Sequence, residues 1–187
     1  MPIDLKDREV VLGIGGGIAA YKCCELARML ARRGASVHCV LTSAGTKFVT
    51  PLTLQTLTGN PVHTDMWNLI QEGEIGHVSL ADRAQLVLVA PATADIIAKV
   101  AHGICDELLT TVICATKAPV IFAPSMNSNM WENPITQGNV ASLKEHGYRF
   151  IEPAEGALAC GYEGKGRLPE PAEILKYITS EILNSKS

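Results

Sequence analysis

The hydrophobic positions along the chain switch repeatedly between unbroken runs and helical spacing. The stretch EVVLGIGGG is an apolar run ending in glycines, the pattern of a parallel strand buried on both faces. IAAYKCCELARMLARRG then brings Ile18, Cys24, Leu26, Met29 and Leu30 to helical intervals, with arginines in its last turn and Gly34 as its stop, and predicts a helix. SVHCVLT predicts a second strand. Short helical pieces are expected from Ser43 and from Pro51, ended by Asn60–Pro61. A short strand at PVHT, a polar loop near QEGEIG and a turn of helix around SLADRA follow. QLVLVAP and PVIFAPS read as buried strands, with helices TADIIAKVAHG and DELLTTVICATK between them. MWENPITQGNVASLKEHG reads as one helix, YRFIEP as a strand, and PAEILKYITSEIL as a closing amphipathic helix. ALACGYEGKGRLPEP, glycine-rich around Cys160 and Arg167, is too irregular for helix or strand and reads as a loop.

Strands alternating with helices predict an α/β fold, a doubly wound, mainly parallel sheet covered on both faces. At 187 residues the chain fits one domain, taken as 1–187. Ligands of such sheets bind beyond the carboxyl ends of the strands, where strand order reverses. That directs attention to Gly15–Ala19, Thr42–Lys47, Pro91–Asp95 and Pro124–Trp131.

Composition narrows the chemistry. A formal charge of −3 without a Lys/Arg cluster argues against a nucleic-acid surface and toward small-molecule chemistry. The charged N-terminus does not resemble a signal peptide and no apolar run approaches the ~18 residues of a membrane span. A cytoplasmic protein with no membrane contact is expected. Its six cysteines read as thiols. No metal site is expected, because CxxC pairs and ligand-spaced histidines are absent.

Gly15, Gly16 and Gly17 sit between a strand and a helix, where the backbone can approach a phosphate. The G-x-G-x-x-G pattern fails, since its third glycine falls on Ile18. Strand two ends in Thr42 and Ser43 instead of the acidic residue that grips a nicotinamide-cofactor ribose. With APATAD as a third loop, these features favour a mononucleotide with one terminal phosphate, such as FMN, over NAD. The plain alternative is a tight turn at the glycines and helix caps at Thr42, Ser43 and Thr93.

At APSMNSNMW, PATAD and GHVSLADRA the chain resembles the flavin-dependent cysteine decarboxylases, and ACGYEGKGRLPEP resembles the substrate-recognition flap of their phosphopantothenoylcysteine decarboxylase branch, here about 153–170. The likeness runs from about Val10 to Pro171. It implies a flavodoxin-like or Rossmann-like fold and FMN held by Gly16, Gly17, Ile18, Ser43, Ala92, Thr93, Ala94 and Met126. It also implies trimers or dodecamers with the flavin at a subunit interface, and a substrate, 4'-phospho-N-pantothenoylcysteine, decarboxylated to 4'-phosphopantetheine. In bacteria this domain is commonly fused to a phosphopantothenate–cysteine ligase domain, which this chain does not reach.

On that resemblance His77 is the expected base, since imidazole titrates near neutral pH. Asn127 is expected to hold the substrate carboxylate without a charge pairing that would oppose its loss as CO2. Cys160 is the expected final proton donor on a glycine-hinged flap, with Lys165 or Arg167 meeting substrate phosphate or carboxylate. Read without the family, each has a bland role: structural His, helix-capping Asn, incidental Cys. Alternatives within reach of the same motifs are a peptidyl-cysteine decarboxylase, a prenyl-FMN-forming transferase and a non-catalytic FMN-binding regulatory subunit.

Overall fold

The computed structural model describes residues 5–67, 76–157 and 163–184. Its sheet has six strands: β1 (Glu9–Ile14), β2 (Ser36–Leu41), β3 (Val62–His63), β4 (Leu86–Ala92), β5 (Val120–Pro124) and β6 (Arg149–Phe150), in the order β3-β2-β1-β4-β5-β6. Every pairing is parallel. The order turns back on itself between β1 and β4. This is the doubly wound arrangement expected, in the dinucleotide-fold order, with β3 and β6 reduced to two residues each.

The unbroken apolar runs follow from burial on two faces, because successive side chains point to opposite sides. Val10, Leu12 and Ile14 of β1 enter a core with Leu26 and Leu30 of α1 (Ala20–Arg32), Leu54 of α2 (Pro51–Thr58) and Ile174 and Ile178 of α8 (Pro171–Asn184). Val11 joins the opposite core. There it meets α3 (Gly76–Arg83), α4 (Ala94–Ala101), α5 (Leu108–Ala115) and α7 (Pro134–Glu145) through Leu80, Ile97, Val112 and Val140. Gly13 shares that side for a steric reason. A Cβ there would lie 2.3 Å from Leu109 Cδ1.

Four expectations need correction. The helix expected from Met130 to Gly147 is two helices, α6 (Ser128–Glu132) and α7, because Asn133 accepts from the Ile135 N–H as a cap and Pro134 occupies the first turn. The strand expected over YRFIEP is only β6. The stretch after it is not all loop: β7 (Ala154–Ala157) pairs antiparallel with β8 (Glu163–Arg167) as a separate two-stranded sheet. The helical piece expected from Ser43 is a single 3-10 turn at Gly45–Lys47. Most of the QEGEIG loop lies outside the described residues, as does Cys160; the five described cysteines are free thiols.

Candidate functional site

The loops at the carboxyl ends of β1, β2, β4 and β5 meet because glycines let them. A Cβ on Gly15 would sit 2.5 Å from the Pro91 carbonyl oxygen, and one on Gly16 would sit 2.3 Å from the Ala44 Cβ. Gly17 differs: its nearest neighbour would be Pro91 Cγ at 3.9 Å. So Gly15 and Gly16 serve close packing between loops, whereas the bare face of Gly17 opens on a cavity of about 570 Å³. That volume falls within the ~300–1,000 Å³ of small-molecule sites.

Gly16, Gly17, Ile18, Ser43, Thr93, Ala94, Met126 and Asn127 all line this cavity. Ala92 does not; it is fully buried at the end of β4. Lys165 and Arg167 do not, though Gly166 between them does. His77, on the first turn of α3, is also absent from the lining, and its buried Nδ1 has no hydrogen-bond partner among the described residues.

The hydroxyls divide by role. Thr42 is committed to the main chain, donating to the Ile14 carbonyl at 3.2 Å and accepting from the Gly45 N–H at 3.0 Å. Thr93 caps α4 by accepting from the Ile96 N–H. Thr93 is the helix cap that the plain alternative anticipated; Thr42 is not, because Ala44 precedes the 3-10 turn at Gly45–Lys47, which has no side-chain cap. Ser43 caps neither, is exposed and lines the cavity. The helix behind the glycine loop, α1, has neither a side-chain cap nor an acidic residue in its first turn, which favours an anion there. The first turn of α4 carries Asp95, which disfavours one. The start of α1 and Ser43 therefore suit an anionic end of a ligand better than the start of α4 does, and Thr93, Ala94, Met126 and Asn127 offer an uncharged wall.

Two charged lining residues escaped the sequence reading. Lys99, the only cation among the described lining residues, bridges Asp95 at 3.3 Å and Asp106 at 3.2 Å. Burial opposes its charge, but the hydrogen bonds of Asp106 and Asp95 outweigh it and hold its pKa above the ordinary lysine range. Burial raises the Glu107 carboxyl, against the pull of Lys99 and with help from Asp106 and Asp95. The i, i+4 spacing of Asp95 and Lys99 was available as a helix-surface pair. Asp106 comes from a separate loop and had no such signal. Asn127 is both cap and cavity wall: its Oδ1 accepts from the Asn129 N–H at 2.9 Å, so the loop's own hydrogen bonding orients the side chain.

A doubly wound domain with a ligand cavity across its strand ends, at the reversal of strand order, is the class that this fold and site define. The chain belongs to the flavoprotein family, whose model, described as Flavoprotein, matches residues 2–183. It is 48% identical over 172 residues to the coenzyme A biosynthesis bifunctional protein CoaBC of Bacillus subtilis (strain 168), covering 92% of this chain and 42% of that protein. The chain thus spans less than half the length of that relative. Among solved structures it is similar to a PPC decarboxylase with a cysteine-to-serine substitution, complexed with pantothenoylaminoethenethiol, at 31% identity and a TM-score of 0.84, covering 97% of this chain and 100% of that one. It is also similar to the FMN-dependent cysteine decarboxylase SpaF, at 29% identity and a TM-score of 0.85, covering 98% and 99%.

Proposed function

We propose that the chain is an FMN-dependent decarboxylase of coenzyme A biosynthesis that converts 4'-phospho-N-pantothenoylcysteine to 4'-phosphopantetheine. The observation that carries this reading is the meeting of the glycine loop and Ser43 with Met126 and Asn127 around one cavity. The likeness to a PPC decarboxylase over the whole of that chain supports the substrate.

The residues fit a flavin mononucleotide. The uncovered face of Gly17, the acid-free start of α1 and Ser43 suit its phosphate, and the apolar wall at Ile18, Ala94 and Met126 suits a ring system. FMN, when bound, accepts a hydride from the carbon bearing the substrate thiol and later returns one. With a hydride so removed, the substrate would be a thioaldehyde, whose C=S group could take the electrons released as CO2 leaves and become an enethiolate. Asn127 holds the departing carboxylate with neutral amide hydrogen bonds. His77 takes the thiol proton at the start of the oxidative half. Cys160 donates the proton that completes 4'-phosphopantetheine.

His77 does not line the cavity of its own chain, and two lining residues, Ile18 and Met130, are 57% and 48% exposed. Those facts support an assembly, a homotrimer or a dodecamer of trimers, in which a second copy closes the site and brings its His77. A ligase domain joined to this one accords with the bifunctional relative.

The test is an anaerobic mixture of the purified protein with phosphopantothenoylcysteine, following the flavin spectrum and identifying product by mass. Saturated 4'-phosphopantetheine with CO2 release is expected; a yellow protein that leaves the substrate intact overturns the reading. Cys160→Ser should still release CO2 but accumulate the oxidised enethiol. Normal 4'-phosphopantetheine formation by that variant would remove Cys160 as the acid.

A further inference from the structure

Lys165 and Arg167 lie next to the cavity without lining it, and both are already held by carboxylates of the domain body. Lys165 Nζ donates to Glu152 Oε2 at 2.7 Å, and Glu152 takes a second cation, Lys144, at 3.1 Å. Arg167 donates to Glu170 Oε1, the oxygen that also accepts from Lys22 Nζ of α1 at 2.8 Å. Both carboxyls are held below the usual range against opposing burial, Glu152 first by the Lys165 hydrogen bond and Glu170 first by that of Lys22. Between the two ion pairs sits Gly166. Its carbonyl accepts from the Met126 N–H at 2.9 Å, and a Cβ on it would lie 2.3 Å from the Met126 carbonyl oxygen. Its φ of +153° also favours glycine. Strand β8 is therefore laid main chain against main chain on the loop that carries Asn127.

We propose that Glu152 and Glu170 are positioning residues: through Lys165 and Arg167 they hold β8 on the Met126–Asn127 loop and so fix the Asn127 side chain at the cavity wall. This rests on the decarboxylase reading for its kinetic consequence. Lys165 and Arg167 are then anchors of β8, and the substrate phosphate is gripped elsewhere. A single ion pair of exposed partners contributes little, so the geometry needs one on each side of Gly166.

A double-mutant cycle on the FMN-loaded protein separates an anchor from a phosphate ligand. For an anchor, Glu152→Gln and Lys165→Met each lower kcat/KM by about three- to tenfold, and the double variant falls no further than either single. The loss is equal for 4'-phospho-N-pantothenoylcysteine and its dephosphorylated analogue. Glu170→Gln and Arg167→Met behave alike. A loss confined to the phosphorylated substrate, with Glu152→Gln harmless, overturns the proposal. Hydrogen exchange without substrate supplies an arm independent of the reaction: amides of β8 and of Met126 exchange faster in Glu152→Gln than in wild type. Unchanged exchange overturns the proposal even if the protein is a decarboxylase, whereas faster exchange in a protein that turns over neither substrate upholds the anchoring and rejects only the decarboxylase reading.

Discussion

His77→Asn is expected to leave FMN bound and to slow its reduction by phosphopantothenoylcysteine by about 10²- to 10⁴-fold, the range for removal of a positioned general base. Asparagine keeps a hydrogen-bonding side chain of similar reach but cannot carry the thiol proton near neutral pH. The buried Nδ1 of His77, without a hydrogen-bond partner among the described residues, motivates the choice, since such an atom in a folded protein calls for an explanation. FMN retention is expected because Gly16, Gly17, Ser43 and Thr93 line the cavity and His77 does not. The measurement is anaerobic mixing with substrate while the yellow flavin band bleaches; an unchanged bleaching rate removes His77 as the base. Mixing inactive His77→Asn with inactive Asn127→Ala, under conditions that exchange subunits, tests the shared site. If one copy's His77 serves another's cavity, mixed assemblies recover part of the activity. No recovery after proven exchange would assign both residues to one chain's site.

The chain was readable where one physical rule acts alone. Val10–Ile14 and Leu86–Ala92 are buried on both faces, so their unbroken apolar runs marked strands before any tertiary contact was known. The site loops were readable for the same reason, because a doubly wound sheet puts its ligand at strand ends. Legibility failed where two cues compete. In MWENPITQG the helical spacing of apolar residues runs on through a boundary, while Asn133–Pro134, a cap followed by a residue suited to a first turn, marks the break. Strand β8, Glu163–Arg167, has no β-branched or aromatic residue to announce it. Its conformation is set by pairing with β7, by the Met126 hydrogen bond and by carboxylates at Glu152 and Glu170, partners that local sequence does not specify.

The glycine loop was ambiguous between a tight turn and a phosphate cradle: Gly15 and Gly16 pack tightly against neighbouring loops, and Gly17 carries the cradle of the proposed FMN site. Gly16→Ala should destabilise the FMN-free protein, because the new Cβ would stand 2.3 Å from that of Ala44 and 2.9 Å from the Ala44 carbonyl carbon. Overpacking of this kind costs about 1–3 kcal/mol, which lowers Tm by roughly 2–10 °C in a chain of this length. Gly17→Val should do the opposite of a folding variant. No positive φ constrains the position, and its Cβ meets only Pro91 Cγ at 3.9 Å, so the FMN-free Tm should hold within about 2 °C of wild type. The added side chain then occupies the space in which phosphate would approach the backbone N–H groups. Weakening of FMN binding by at least about a hundredfold is expected, equivalent to ~2.7 kcal/mol. Paired measurements of FMN-free Tm and of FMN affinity by flavin fluorescence check both variants. A Gly17→Val protein that binds FMN as tightly as wild type would move the phosphate away from α1, and would leave Ser43 as the only part of the anion site still standing.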